Sequence, residues 1–197
     1  MQGSSLTVVP YPHPALRHKS KPVRRVDAEL VRVVREMFSL MYASNGIGLA
    51  ANQVDLPLRL FVINLSAKPD EGEEMVFINP VLSKPKGNEE SEEGCLSFPE
   101  LYGPVIRPKQ ISVQAYNLQG EQVRGNLNGM LARVVQHEYD HLDGVLFVDR
   151  MTPTARAKVQ PTLDEFELSF RALRQTGAMP GDDVIASQLA QWEQRYA

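Results

Sequence analysis

Apolar residues in this chain recur with two different periods, and the change from one to the other separates helices from strands. After Asp27, the residues Leu30, Val33, Val34, Met37, Leu40 and Met41 follow at helical spacing. They predict an amphipathic helix capped by Asp27, running to about Ala43 and ended by Asn45-Gly46. A second helix is predicted over 129–144: Leu131, Val134, Val135 and Leu142 are its buried positions, Asn126 or Asn128 its cap, and Gly144 its left-handed stop. Residues 58–65 and 75–78 are short and rich in Val, Ile, Leu and Phe, with a turn at 69–74 between them, which reads as a β-hairpin. Pro80, Pro85 and Gly87 break up the stretch after 78. Ile111, Val113 and Ala115 alternate with polar residues, and 118–121 forms a hairpin turn before a strand at 122–127. Beyond Met151 the pattern turns polar and helical, with helices at 161–176 and 183–196 around a break at 177–181 and Trp192 securing the last one.

Two stretches carry neither period. Residues 6–25 are rich in Pro and basic residues and predict an extended arm over the surface with solvated charges, His13 being a loop residue rather than a ligand. The acidic run 88–93 reads as a solvated loop that delivers Gly94-Cys95-Leu96-Ser97, with Tyr102 and Gly103 in the loop after it. Strands grouped ahead of helices, without regular alternation, predict an α+β fold: antiparallel strands packed around a central helix, the one at 129–144, with an amphipathic N-terminal helix and a C-terminal helix. A single domain is expected over 1–197, with 1–25 as its arm and 152–197 as a helical C-terminal extension.

Composition adds exclusions. A hydrophobic content of 43% and charged content of 23% are those of a globular protein, and a net charge of −3 carries no nucleic-acid signature. No apolar run approaches a membrane span, the first ten residues lack a secretory pattern, and one cysteine excludes an internal disulfide framework. A cytoplasmic protein is expected.

The chemistry concentrates in the second predicted helix, which contains His137-Glu138-Tyr139-Asp140-His141. Two histidines four apart share a helix face, roughly 6 Å along the axis, and can grip one metal ion. Glu138 lies about 100° round the helix, where it can reach an activated water without being a ligand. A metal to acidify water and a free carboxylate to relay its proton form a hydrolytic pair. At least one more ligand is required. The extended pattern HExxHxxGxxH holds as far as Gly144 and fails at Phe147, leaving a carboxylate such as Glu165, or Cys95 in its glycine-flanked turn. Residues 46–53, GIGLAANQ, follow a helix and lack a third glycine. They are no dinucleotide loop, and read either as a tight packing corner or as backbone built for close approach.

Three separated segments, GIGLAANQ at 46–53, EGCLS at 93–97 and QHEYDHLDG at 136–144, together resemble peptide deformylases of the bacterial and organellar type. A looser similarity runs from about Val9 to Asp149. The resemblance implies Cys95, His137 and His141 as metal ligands, with water at the remaining position. It implies Glu138 as the base, and Gln53 with the backbone N–H of Leu96 as donors to the oxyanion. The reaction implied is hydrolysis of the formyl group from the N-terminal N-formylmethionine of new polypeptides, releasing formate. Substrate backbone would pair along Gly46, Ile47 and Gly48, and Ile47, Glu93 and Met130 would shape the methionine pocket with Arg133 at its mouth. Asp140, paired with Arg107, would orient the site. One thiolate and two imidazoles suit zinc by softness. The resemblance instead implies Fe2+, with Zn2+, Ni2+ or Co2+ able to substitute. The partners implied are nascent formylated polypeptides and, as a further expectation, the ribosome that makes them. Two other readings share some of these residues: a zinc metallopeptidase of HExxH type, and a non-catalytic ion-binding or redox-sensing protein using Cys95.

Overall fold

The structure, a computed structural model, describes residues 6–197. Helix α1, Ala28–Ala43, starts where Asp27 accepts a hydrogen bond from Leu30 N, as its spacing predicts. The strands are β1 (Gly48–Ala50), β2 (Leu60–Ile63), β3 (Met75–Lys86), β4 (Glu89–Cys95), β5 (Phe98–Arg107), β6 (Gln110–Tyr116) and β7 (Gln122–Asn128). Helix α2 is Gly129–Leu142, and α3 (Pro153–Gln175) and α4 (Asp182–Tyr196) close the chain. The antiparallel order β1-β2-β3-β6-β7 makes one sheet, and β4 and β5 form a separate hairpin. The α+β expectation holds.

Strand β2 explains the layering. Its four residues are all buried because both of its faces are covered. Leu60 and Val62 join Leu30, Val34, Met37 and Met41 of α1 in one core cluster. Phe61 and Ile63, on the opposite pleat, join Ala132, Val135 and Leu142 of α2 in another. Helix α2 thus lies between the sheet and a third cluster, built by Phe98, Leu101 and Val105 of β5 with Phe147, Val148 and Leu163.

Several expectations are corrected. The prolines do not end β3: Pro80 falls within the register shift between Ile78 and Val81, and Pro85 within that between Ser83 and Lys86, where a missing N–H breaks no ladder bond. The acidic run is not a loop but β4, whose ladder with β5 satisfies its backbone while Glu89, Glu90 and Glu92 stay exposed. The arm does not lie on the surface, since Val9, His13, Ala15 and Leu16 are buried. Its charges are partly engaged, with Arg17 on Asp149 and His18 on Glu193. At the C-terminus both expected helices form, but α3 begins at Pro153, eight residues before the expected start. Thr152 caps it through Ala155 N, and contacts of Leu163 and Phe166 hold it helical through Pro161. The first five residues of the arm lie outside those described.

Candidate active site

Helix α2 presents its two histidines toward Cys95, which sits where β4 turns into β5. One ligand-capable atom from each of Cys95, His137 and His141 lies within 4.8 Å of the other two. His141 Nε2 is 3.3 Å from Cys95 Sγ. Glu93 accepts from His137 Nδ1 at 3.0 Å, and since an ionised carboxylate only accepts, Nδ1 carries the proton and Nε2 is free to bind a metal. A soft thiolate with two imidazoles, gathered in this way, is a donor set that a divalent transition metal fits.

Glu93 is the hub behind that histidine. Its Oε1 accepts from Arg107 Nε at 2.7 Å and Arg133 Nη1 at 2.6 Å, and its Oε2 from Arg107 Nη2 at 3.0 Å in addition to His137. Burial disfavours its charge, but the hydrogen bonds from His137 and Arg107 outweigh that and bring the carboxyl down to about 2. Arg107 continues to Asp140 at 2.8 Å, and Asp140 accepts also from Arg150 at 2.6 and 3.0 Å. Arg150 has no signal in the sequence, because the fold alone brings it under α2. Burial lowers the proton affinity of His137, yet contact with Cys95 and Glu93 and the charge of Glu138 raise it to about 10, so a metal binding at Nε2 would have to displace a proton there. In His141, burial and the charge of His137 keep the ring neutral.

Glu138 is buried beside the metal group, and desolvation pushes its carboxyl up to about 7 against the opposing charges of His137 and Arg107. One of its oxygens, Oε2, has no hydrogen-bond partner among the described residues. Across from it, Gln53 lies in the short 3-10 turn Ala51–Val54 after β1. Its Oε1 accepts from Ala50 N at 2.8 Å, which turns Nε2 toward Cys95 Sγ and Ser97 Oγ, each at 3.3 Å. The arm ties these segments together: Val9 N–H bonds Gln53 O at 2.8 Å, and Tyr11 N–H bonds Ser97 O at 2.9 Å.

A cleft of about 650 Å³ opens over this group. Gly46, Ile47, Gly48 and Gln53 border one side, and Glu93, Cys95 and Leu96 the other. Helix α2 contributes Met130, Arg133, His137 and Glu138. His141, Asp140 and Arg107 do not border it. Met130 is largely exposed at the rim. Arg133 borders the cleft but is not a free group at its mouth: it is buried, with Nη1 on Glu93 and Val105 O and Nη2 on Glu89 O. Tyr102, expected in a loop, stands instead on β5 with its ring against Gly94 and lines the cleft with Phe98 and Val134. The alternation of Leu101, Gly103, Val105 and Arg107 was the available signal for that strand.

Compared with known proteins, the chain matches the family described as polypeptide deformylase over residues 5–157. This chain belongs to that family. It is 47% identical to the peptide deformylase of Rhodopirellula baltica over 191 residues, which is 97% of this chain and 95% of that protein. It is 40% identical to the chloroplastic/mitochondrial peptide deformylase 1B of Arabidopsis thaliana, across 93% of this chain and 67% of that protein. A crystal structure of a plant peptide deformylase superposes with a TM-score of 0.84 at 39% identity, covering 92% of this chain and 98% of the other. The family consists of metal-dependent hydrolases that remove the N-formyl group from nascent polypeptides. Among the described residues no helix is long and apolar enough to cross a membrane.

Proposed function

We propose that this chain hydrolyses the formyl group of N-formylmethionyl polypeptides with Glu138 as proton relay and Cys95, His137 and His141 as metal ligands. The observation that carries this reading is the gathering of those three ligand atoms beside a buried carboxylate at the floor of one cleft. A divalent cation held there would polarise the formyl oxygen and acidify the attacking water. Glu138 takes the proton of that water and returns it to the leaving nitrogen, and a carboxyl near pH 7 is suited to both transfers. Gln53 Nε2 and the Leu96 N–H donate to the oxyanion that develops on the substrate. Gly46, Ile47 and Gly48 offer backbone for pairing with the peptide, while Ile47, Glu93 and Met130 shape the pocket for the methionine side chain. Arg133, Arg107 and Asp140 act through Glu93 and His137, not on substrate.

Formate release from formyl-Met-Ala-Ser tests the reading against the metallopeptidase alternative. Formyl substrate should be hydrolysed and its acetylated and unmodified counterparts left intact; cleavage of internal amides instead would overturn it. In the same assay Glu138→Gln should bind metal as the parent does and lose at least about a hundredfold in kcat. We further assign Fe2+ as the working ion, with Zn2+, Ni2+ or Co2+ able to replace it. An Fe2+–thiolate centre reached through an open cleft should lose activity in air and keep it without oxygen. Equal lifetimes under both conditions would rule iron out. Encounter with these chains at the ribosome, in the cytoplasm, is inferred from the origin of the substrate and from no surface feature of the fold.

A further inference from the structure

The two histidines of the metal group differ in how their second ring nitrogen is held. His137 Nδ1 has Glu93 as its acceptor at 3.0 Å. His141 turns Nε2 toward Cys95, and its buried Nδ1 has no hydrogen-bond partner among the described residues. A ligand imidazole needs an acceptor for that proton, because the acceptor fixes both its tautomer and its ring angle.

An unused acceptor sits on a side chain that already touches this residue. Asn52 is fully buried, its Nδ2 donating to the carbonyl of His141 and reaching that of His18 at 3.5 Å. Its Oδ1 has no partner among the described residues. Ser20, whose N–H donates to Leu142 O at 2.9 Å, carries a third unpartnered atom, a buried hydroxyl. A ring donor, an amide acceptor and a hydroxyl able to do both therefore belong to residues joined around the last turn of α2. Buried polar groups are satisfied in folded proteins, and these three are complementary.

Resting on the assignment of His141 as a metal ligand, we propose that Asn52 is the positioning residue for that ligand. Its Oδ1 accepts the His141 Nδ1 proton through one water shared with the Ser20 hydroxyl, and so aims Nε2 at the metal position. Asn52 immediately precedes Gln53 in the same 3-10 turn. One turn thereby sets both the donor facing the substrate and the orientation of a ligand beneath it.

The test uses the zinc-loaded protein labelled with 15N. His141 should show the Nδ1–H tautomer with an exchange-protected proton, close to a bound water. Asn52→Ala should lose that protected signal and raise the zinc dissociation constant, read by chelator competition, about 10- to 100-fold. Asn52→Asp keeps the acceptor but loses the Nδ2 donor to the His141 carbonyl, so its readout is the protected His141 signal, which should persist whatever the affinity. An Asn52→Ala protein with signal and affinity intact would overturn the proposal, as would Asn52→Asp losing the signal. Should the variants not fold, the parent spectrum decides alone, since an Nε2–H tautomer or an unprotected proton on His141 refutes it. His141→Ala binding zinc as tightly as the parent would instead refute the ligand assignment, a result that leaves a different signature.

Discussion

At Gly48 the edge of the sheet meets helix α2 so closely that a side chain has no room. A Cβ there would lie 2.4 Å from Glu138 Oε1 and 2.9 Å from Val134 Cγ1. The backbone conformation is an ordinary strand, so contact rather than torsion demands glycine. Gly48→Ala should fold, displace the Glu138 carboxylate, and lower kcat/KM by about a hundredfold, the size of effect that a misplacement of about an ångström produces. Steady-state kinetics beside a metal determination would check this, and unchanged kcat/KM would show that Glu138 is not held by this contact. From residues alone, the GIGLAANQ segment left packing and close approach both open. The structure shows that they are one device, because the tight corner is what brings backbone, Gln53 and Glu138 to the same cleft. The role of Arg133 could not be read in that way. Its position one turn before His137 puts it at the cleft, and only the arrival of β4 gives it a buried carboxylate to bind.

Between elements, Glu93 joins the β4–β5 hairpin to α2 through two arginines and a histidine. Replacing such a buried network wholesale by apolar groups can be neutral, whereas removing one member leaves uncompensated charge. The carboxyl is depressed from an ordinary 4.5 to about 2, so its ionised form stabilises the fold above about pH 4.5. That contribution, on the order of 3 kcal/mol, is lost as pH falls from 4.5 toward 2. Glu93→Gln should therefore lower stability at pH 7 by about 3–5 kcal/mol and flatten its pH dependence across that acid window, read by urea unfolding at a series of pH values. A variant with the same acid slope as the parent would place that dependence on other carboxylates. The hairpin itself was the element least visible in the sequence. An acidic run has no apolar alternation, and β4 exists because β5 pairs with it. Helix α1 was visible because cap, apolar stripe and stop residue agree, and α2 because its stripe and the Gly144 stop agree, although Asn128 at its N-cap makes no side-chain capping bond.

For the whole molecule, the last helix closes on the core and on the segment that leads into α1. Tyr196 is buried in the cluster of α1 and β2, its hydroxyl donating to Asp27 at 2.9 Å and its carbonyl accepting from Arg24 N at 2.8 Å. We propose on these contacts that 152–197 is an integral part of the domain. Tyr196→Ala should destabilise the entire protein by about 3–4 kcal/mol in a single cooperative urea transition. A separate early transition confined to α3 and α4 would show that these helices unfold apart from the rest. Trp192, the expected anchor, is only partly buried and stacks on Tyr196, with ring centroids 5.7 Å apart.

Local pattern alone was enough for the two main helices and the β2–β3 and β6–β7 pairings, and it singled out HEYDH as a candidate clamp with a spare carboxylate, because each depends on neighbours within a few turns or strands. Resemblance across three segments supplied the reaction class and the candidate third ligand, which no spacing within α2 contains. The rest waited for the chain to come together. The arm's backbone bonds to Gln53 and Ser97, the Glu93 hub and the bond from Asn52 to the His141 carbonyl all join residues far apart in sequence. Such contacts exist only once burial has brought their elements together and each buried polar group must find a partner among whatever lies beside it.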